Sequence, residues 1–291
     1  MDEAQSAVYF VRLTVAAIML AMGLGLSTED FRRVFEDPRG VTVGLVAQML
    51  GLPIFGLVCA VFFQLPSELA VGIILLTACP GGAHSNLFSN LAHGDTALSV
   101  TLTAVTGILT IVTIPLWTSL ALTLFGGSSA AVSMPFADTM LEVLLMMAIP
   151  VTVGMGIRWR LPSVADYAEK AVKLTAVLLL LLIVVGSVTQ QAERVGALFA
   201  MAGLPVLVLN VGAMMAGWGI GKLGRLPIRQ QLTVVIEVGI QNSALAVGLA
   251  MGLLGDVYAI PAIIYSLLVY LTGAVVIGFG RMLARSERSE G

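Results

Sequence analysis

Charge is the scarcest property of this chain of 291 residues. Only 11% of its residues are Asp, Glu, Lys or Arg, against ~25% in an ordinary globular protein. Histidine and cysteine occur twice each. No run of basic residues could bind nucleic acid, and the net charge of -2 spreads too thinly to define a polar face. There is no Ser-His-Asp order, no metal-ligand cluster and no glycine loop of phosphate-binding type, so an enzyme is not expected. Cys59 and Cys79 both sit in apolar runs without metal-ligand spacing, and they read as buried thiols rather than a disulfide. The N-terminal MDEAQSAVYF is acidic and lacks the basic region and small-residue cleavage site of a signal peptide, so it reads as retained.

What the chain has instead is apolar surface. Hydrophobic residues make up 58% before its 31 glycines are counted, and the mean hydropathy is +1.00. Polar groups are too few to cover such a chain in water. The fold class is therefore an all-α polytopic membrane protein formed by one integrated domain.

A membrane-spanning helix needs ~20 apolar residues. Nine segments qualify: 7–26, 41–63, 67–93, 97–125, 138–158, 171–190, 195–221, 230–253 and 257–283. With the N-terminus outside, the inner segments are 27–40, 94–96, 159–173, 222–229 and the tail after 280. With Arg158, at the edge of 159–173, these hold 13 of the 15 basic residues. Only Arg194 falls outside, and Arg12 lies within the first span. Nine spans with the C-terminus in the cytoplasm satisfy the positive-inside rule, and a bacterial inner membrane is the expected location.

Two spans are interrupted. The third carries Pro80-Gly81-Gly82 at mid-depth, followed by His84, Ser85 and Asn86. Proline removes a backbone donor and clashes with the preceding turn. The eighth carries Glu237, Gly239, Gln241 and Asn242 at similar depth. Unwound backbone inside a membrane is tolerated only where protein buries it or it lines a cavity, and a buried carboxylate is costly unless paired. The breaks occupy matching places. Helices one to four (7–125) and helices six to nine (171–283) form two blocks of opposite orientation, joined by helix five (138–158). Matching interruptions in inverted repeats point to a transport site. Half-helix N-termini favour an anion, while unwound carbonyls and side-chain oxygens suit a small hard cation.

CPGGAHSN at 79–86, LAHGDTALSVTLTAV at 91–105 and EVGIQNSALA at 237–246 resemble the bile acid:sodium symporter family, as does STEDFRRVFEDPRGVTVGLVAQ at 27–48. The resemblance covers essentially the whole chain. It implies crossed discontinuous helices, a panel and a core domain, and two sodium ions. The implied first sodium site is Ser85, Asn86, Ser99, Thr103 and Glu237. The second is Gln48, Glu237, Val238, Ile240 and Gln241, with Val238 and Ile240 acting through their carbonyls. Sodium would order the broken helices from behind, without touching the substrate. The substrate surface implied at the crossing is Ala83, His84 and Asn242. Ala83 and His84 stand where many relatives have threonine and a small apolar residue. Asp95 reads as the cap of helix four, and His93 as a solvated residue near the inner surface.

The expected function is sodium-coupled symport of an organic anion, either bile-acid-like or a small carboxylate such as pantoate, by alternating access. A sodium/proton antiporter of similar fold and a non-transporting ligand sensor are the rival readings. Antiporters usually use an essential intramembrane aspartate, where this crossing offers only Glu237. A sensor would need a signalling domain, and the longest inner segment has only about 15 residues.

Overall fold

The computed structural model describes residues 3–126, 136–190 and 192–289, with some side chains inside those helices left undescribed. Every regular element among the described residues is helical. In chain order these are α1 (Glu3–Gly25), α2 (Arg33–Glu36), α3 (Pro38–Val46), α4 (Leu52–Phe62), α5 (Ser67–Ala78), α6 (Ala83–Leu91), α7 (Thr96–Phe125), α8 (Phe136–Arg160), α9 (Pro162–Gln190), α10 (Ala192–Leu223), α11 (Ile228–Gly239), α12 (Ser243–Leu249) and α13 (Ile260–Ser289).

By length and composition, four helical stretches of the described residues suffice to cross a membrane: Pro38–Phe62, Thr96–Phe125, Gly196–Leu223 and Asp256–Ala284. The pair Tyr9–Gly25 and Glu29–Glu36, bent by 78°, would make a fifth. The interrupted segments fail this test as single helices because each is split. α5 has 12 residues and α6 has 9.

Exposure separates an outer apolar skin from a packed centre. On Pro38–Phe62 the exposed side chains Val46, Leu50, Ile54 and Val58 recur every fourth residue, one stripe of a helix. In water such a stripe is an association hazard; against lipid it costs nothing. The broken helices lie at the centre. Every residue of α5 from Leu69 to Ala78 is buried, as is every residue of α11 from Leu232 to Gly239. Helices buried on all sides need apolar residues all round, which explains why the exceptions, Thr77, Thr233 and Glu237, carry specific bonds.

α1 packs chiefly against α8 and α9. Its contact with α8 is close because two glycines meet there: a Cβ on Gly154 would stand 2.6 Å from the Leu20 carbonyl oxygen and 2.8 Å from the Gly23 carbonyl carbon. This trio corresponds to spans one, five and six. α5, α7, α10, α11 and α13 pack among themselves as a second group.

The structure differs from the sequence reading in two ways. Helix α9 starts at Pro162 and so runs through most of the inner segment 159–173, ahead of the expected span 171–190. Proline suits a first helical turn, and Asp166 and Glu169 of α9 pair with Arg158 at the end of α8. The second and eighth spans also each contain a π-helical turn, Ala47–Gly51 and Ala250–Leu254.

Candidate functional site

The site is built where the two interrupted spans break. Cys79 is extended (φ -70°, ψ 155°) before Pro80, which ends α5. Gly82 (φ -83°, ψ 150°) then opens α6. On the other side, Ile240 (φ -123°, ψ 85°) ends α11, and the Asn242 side chain caps α12 by accepting from the Leu245 N–H at 3.1 Å. The two breaks bond to each other. Gly81 and Gln241 form an isolated antiparallel bridge. The Gly82 N–H donates to the Ile240 carbonyl at 3.3 Å, and the Asn242 N–H donates to the Pro80 carbonyl at 2.9 Å. The Gly239 carbonyl accepts from the Tyr265 hydroxyl and from Asn210 Nδ2, both at 2.8 Å. Backbone groups freed by unwinding are thereby paired inside protein, as a low-dielectric interior demands.

A carboxylate lies directly behind this crossing. Glu237 is 2% exposed. Its Oε1 accepts from Ser85 Oγ at 2.6 Å and from Ser99 Oγ. Thr103 Oγ1 donates to Oε2 at 3.2 Å. Asn86 Oδ1 closes the cluster, 2.8 Å from the same Ser99 Oγ, whose single proton the two acceptors share. All five side chains expected at the first sodium site therefore meet in one place, although they come from α6, α7 and α11. Gly81 has no room for a side chain, because a Cβ there would collide with Glu237 Oε2.

The second expected set gathers at the same C-terminal end of α11. Gln48, in the π-helical turn and 2% exposed, donates through Nε2 to Gln241 Oε1 at 2.7 Å. Gln241 Nε2 donates to the carbonyls of Glu237 and Val238, both at 2.9 Å. The Ile240 carbonyl differs from the rest of its set, since its described bond goes to Gly82 at the crossing. Among the described residues no group of three or more His, Cys, Asp or Glu is arranged for a metal ion. What stands here instead is a set of hydroxyl, amide and carbonyl oxygens around one carboxylate, a donor set suited to a hard cation of low charge.

A cavity of about 210 Å³ adjoins the crossing, lined by His84, Asn86, Thr103, Asn242, Met22 and Glu169 among others. His84 and Asn242 therefore share one chamber, and the His84 ring lies near-parallel to that of Tyr270 with centroids 6.2 Å apart. The side chain of Ala83 lies outside the described residues. Asn86 and Thr103 belong to both the Glu237 cluster and the lining of this cavity. Glu169, which also lines this cavity, is not among the residues that the sequence singled out. Asn210 and Tyr265 were also missed; a lone amide in the apolar span 195–221 was the available signal.

Near the expected inner surface, Asp95 caps α7 by accepting from the Leu98 N–H at 3.1 Å, and it also pairs with Arg33. His93 is exposed and left-handed (φ 58°). Cys59 and Cys79 are buried free thiols.

Comparison with known proteins adds a family. The model described as the Sodium Bile acid symporter family matches residues 12–198. A Bacillus subtilis (strain 168) protein called "Uncharacterized sodium-dependent transporter YocS" is 30% identical over 267 residues, 92% of this chain and 81% of that protein. "Probable sodium/metabolite cotransporter BASS2, chloroplastic" of Oryza sativa subsp. japonica is 31% identical over 91% of this chain and 62% of its own length. "P3 protein" of Homo sapiens is 31% identical over 79% of this chain. The match spans under half of that human protein, 48%.

Proposed function

The chain belongs to the sodium bile acid symporter family, and from that premise we propose that it is a sodium-coupled symporter of an organic anion. The observation that carries the proposal is the buried Glu237, ringed by Ser85, Ser99 and Thr103 hydroxyls, directly behind a backbone-bonded pair of helix breaks. A buried carboxylate without a compensating cation is costly. A sodium ion there would take the oxygens of Ser85, Asn86, Ser99, Thr103 and Glu237 as ligands, once the hydroxyl protons turn away.

A second sodium would sit where Gln241 Nε2 now meets the carbonyls of Glu237 and Val238. Its entry requires that amide to turn, so that Oε1 and the Gln48 oxygen face the ion. Both ions bind α11 near its broken end, so sodium would fix the geometry of the crossing on which the anion rests. The anion would meet the first amides of α6, the His84 ring and Asn242. The Asn242 oxygen is committed to the Leu245 cap, so the side chain offers its amide nitrogen as donor.

In the same reading the chain crosses an inner (plasma) membrane nine times with its N-terminus outside. α1, α8 and α9 form a panel that rocks against the core. Two sodium ions with a monoanion move one net charge, worth ~2.3 kcal/mol per 100 mV. The test is uptake of a labelled organic anion into proteoliposomes. An inward sodium gradient should drive accumulation where potassium does not, with a Hill coefficient for sodium above one if both sites couple. Equal uptake in sodium and potassium would refute the proposal.

A further inference from the structure

Cations gather at the end of the molecule where α6 closes and α11 opens, away from the crossing. Arg229, on the first turn of α11, donates through Nε to the His93 carbonyl and through Nη2 to the Gly94 carbonyl, both at 3.3 Å. Arg281 of α13 donates through Nε to the Leu91 carbonyl at 3.2 Å. Both guanidiniums therefore sit on one turn, 91–94. α13 lies so close to that turn that a Cβ on Gly280 would stand 2.2 Å from the Ala92 carbonyl oxygen. Basic groups at the last carbonyls of α6 suit its dipole, but a carbonyl carries no formal charge. Among the described residues neither arginine has a carboxylate partner. Asp95, the acid next to the turn, pairs with Arg33 and caps α7.

A cavity of about 360 Å³ opens beside this turn, lined by His93, Arg229, Leu232, Gly280, Leu283 and Ala284 among others, none of them acidic. His93 takes the left-handed position after α6 (φ 58°) that glycine usually fills, so an imidazole stands at the cavity. The apolar part of the lining continues along α13. Leu267, Leu271, Val275 and Phe279 are exposed and recur every fourth residue, and Leu283 of the cavity is the next member of that row. From Val275 to Leu283 the row runs about 12 Å, at 1.5 Å per residue. That is most of one leaflet, half of a ~30 Å hydrocarbon core. A soluble anion would use only the cationic end; a lipid uses both.

We propose that this cavity binds an anionic glycerophospholipid, with the headgroup phosphate at Arg229, Arg281 and His93 and an acyl chain along the Leu267–Leu283 row. Guanidinium groups meet phosphate oxygens in charge-assisted hydrogen bonds, and basic pockets between membrane helices take such headgroups. Phosphatidylcholine brings the same phosphate together with a quaternary ammonium group, which the arginines repel. Phosphatidylglycerol keeps its negative charge uncompensated and is the better fit. The site also touches both interrupted spans. α6 runs from the crossing to the turn 91–94, and α11 runs from Arg229 back to the crossing. A lipid held here braces the outer ends of the two half-helices whose other ends bond to each other.

The experiment counts lipid bound to the purified full chain in a neutral detergent by native mass spectrometry. Dioleoyl phosphatidylglycerol and dioleoyl phosphatidylcholine are titrated, with glycerol phosphate and inorganic phosphate as soluble competitors. In the wild type a phosphatidylglycerol should bind about tenfold more tightly than phosphatidylcholine, and neither soluble anion should displace it. Arg229→Gln and Arg281→Gln should each weaken it by about tenfold, one charge-assisted bond. Arg229→Lys and Arg281→Lys keep the charge and should stay within a fewfold of wild type. Ala284→Glu puts a carboxylate into the lining and should abolish the preference. Arg160→Gln removes an exposed arginine at the end of α8 and should change nothing. An unfolding transition in phosphatidylcholine equal to wild type shows that each variant is folded. Ala284→Glu leaves the arginine bonds to the turn in place, so it decides the matter if a glutamine variant does not fold.

The proposal is overturned if phosphatidylcholine binds the wild type as tightly as phosphatidylglycerol, or if any folded variant among Arg229→Gln, Arg281→Gln and Ala284→Glu keeps the wild-type preference. It is overturned too if Arg160→Gln loses as much as Arg229→Gln, the mark of diffuse attraction to a basic surface. Displacement of the lipid by glycerol phosphate or inorganic phosphate would assign the cations to a soluble anion, and the lipid assignment would fall.

Discussion

Replacing Glu237 with glutamine removes one charge and almost nothing else. The side chain keeps its shape, and Oε1 still accepts from Ser85 and Ser99. What is lost is the only carboxylate of the cluster, buried to 2% exposure. Removing one partner of a buried ion pair costs ~3–5 kcal/mol, and 3 kcal/mol is a factor of roughly 150 in affinity at 1.36 kcal/mol per decade. The assay is thermal unfolding of purified protein across a sodium titration. At a sodium concentration of 100 times the wild-type dissociation constant, one bound ion stabilises by ~2.7 kcal/mol. A hundredfold weaker site leaves about 0.4 kcal/mol at the same concentration. Without sodium the sign reverses. The uncompensated carboxylate is gone, so Glu237→Gln should be at least as stable as wild type. Thr103→Ala is the graded control, because it deletes one neutral ligand at 3.2 Å and should cost about fivefold in sodium affinity, one ordinary hydrogen bond. If Glu237→Gln kept the full sodium-induced shift, the carboxylate would not be a sodium ligand and the reasoning from its burial would fail.

Three further outcomes follow from the same geometry. Gly81→Ala pushes a methyl group into Glu237 Oε2, so the protein should insert in the membrane but lose most of its sodium response in the thermal assay. Asn242→Ala removes the α12 cap and the amide facing the cavity; anion affinity should fall by about tenfold, while the sodium titration stays within a fewfold of wild type. Native thiols are buried, so single cysteines placed at the exposed loop residues Gln64 and Arg225 report topology in whole cells. Impermeant maleimide should label the first and not the second, and the opposite pattern would invert the proposed orientation.

The breaks were legible because their chemistry contradicts a membrane helix. Pro80 cannot donate, Gly81 and Gly82 carry no side chain, and Glu237, Gln241 and Asn242 are too polar for lipid. Their mutual bonding gives those residues partners. The early start of α9 does not show in hydropathy, because its first turns are charged. Asp166 and Glu169 are charged, but they point at Arg158 across a tight α8–α9 turn, and Pro162 was the helix signal that should have outweighed them. Gln48 could be seen as a lone amide, yet the π-helical turn that carries it could not, since AQMLG has no residue that marks an extra amide per turn. Its environment is set by Cys79 and Gln241, 31 and 193 residues away in sequence. Glu169 was missed for a related reason. Its place in the cavity depends on how α9 packs against Gly25 of α1, and no local pattern records that packing.

The central claim is coupling, and one measurement tests it directly. Purified protein is reconstituted into proteoliposomes at a fixed membrane potential, and initial uptake of a labelled organic anion chosen by binding is followed. An inward sodium gradient should raise the internal concentration transiently above the external one, and an inside-negative potential should increase the rate, since net positive charge enters. Glu237→Gln should abolish the overshoot. Uptake that only equilibrates in sodium, or an overshoot that persists in Glu237→Gln, would contradict the account.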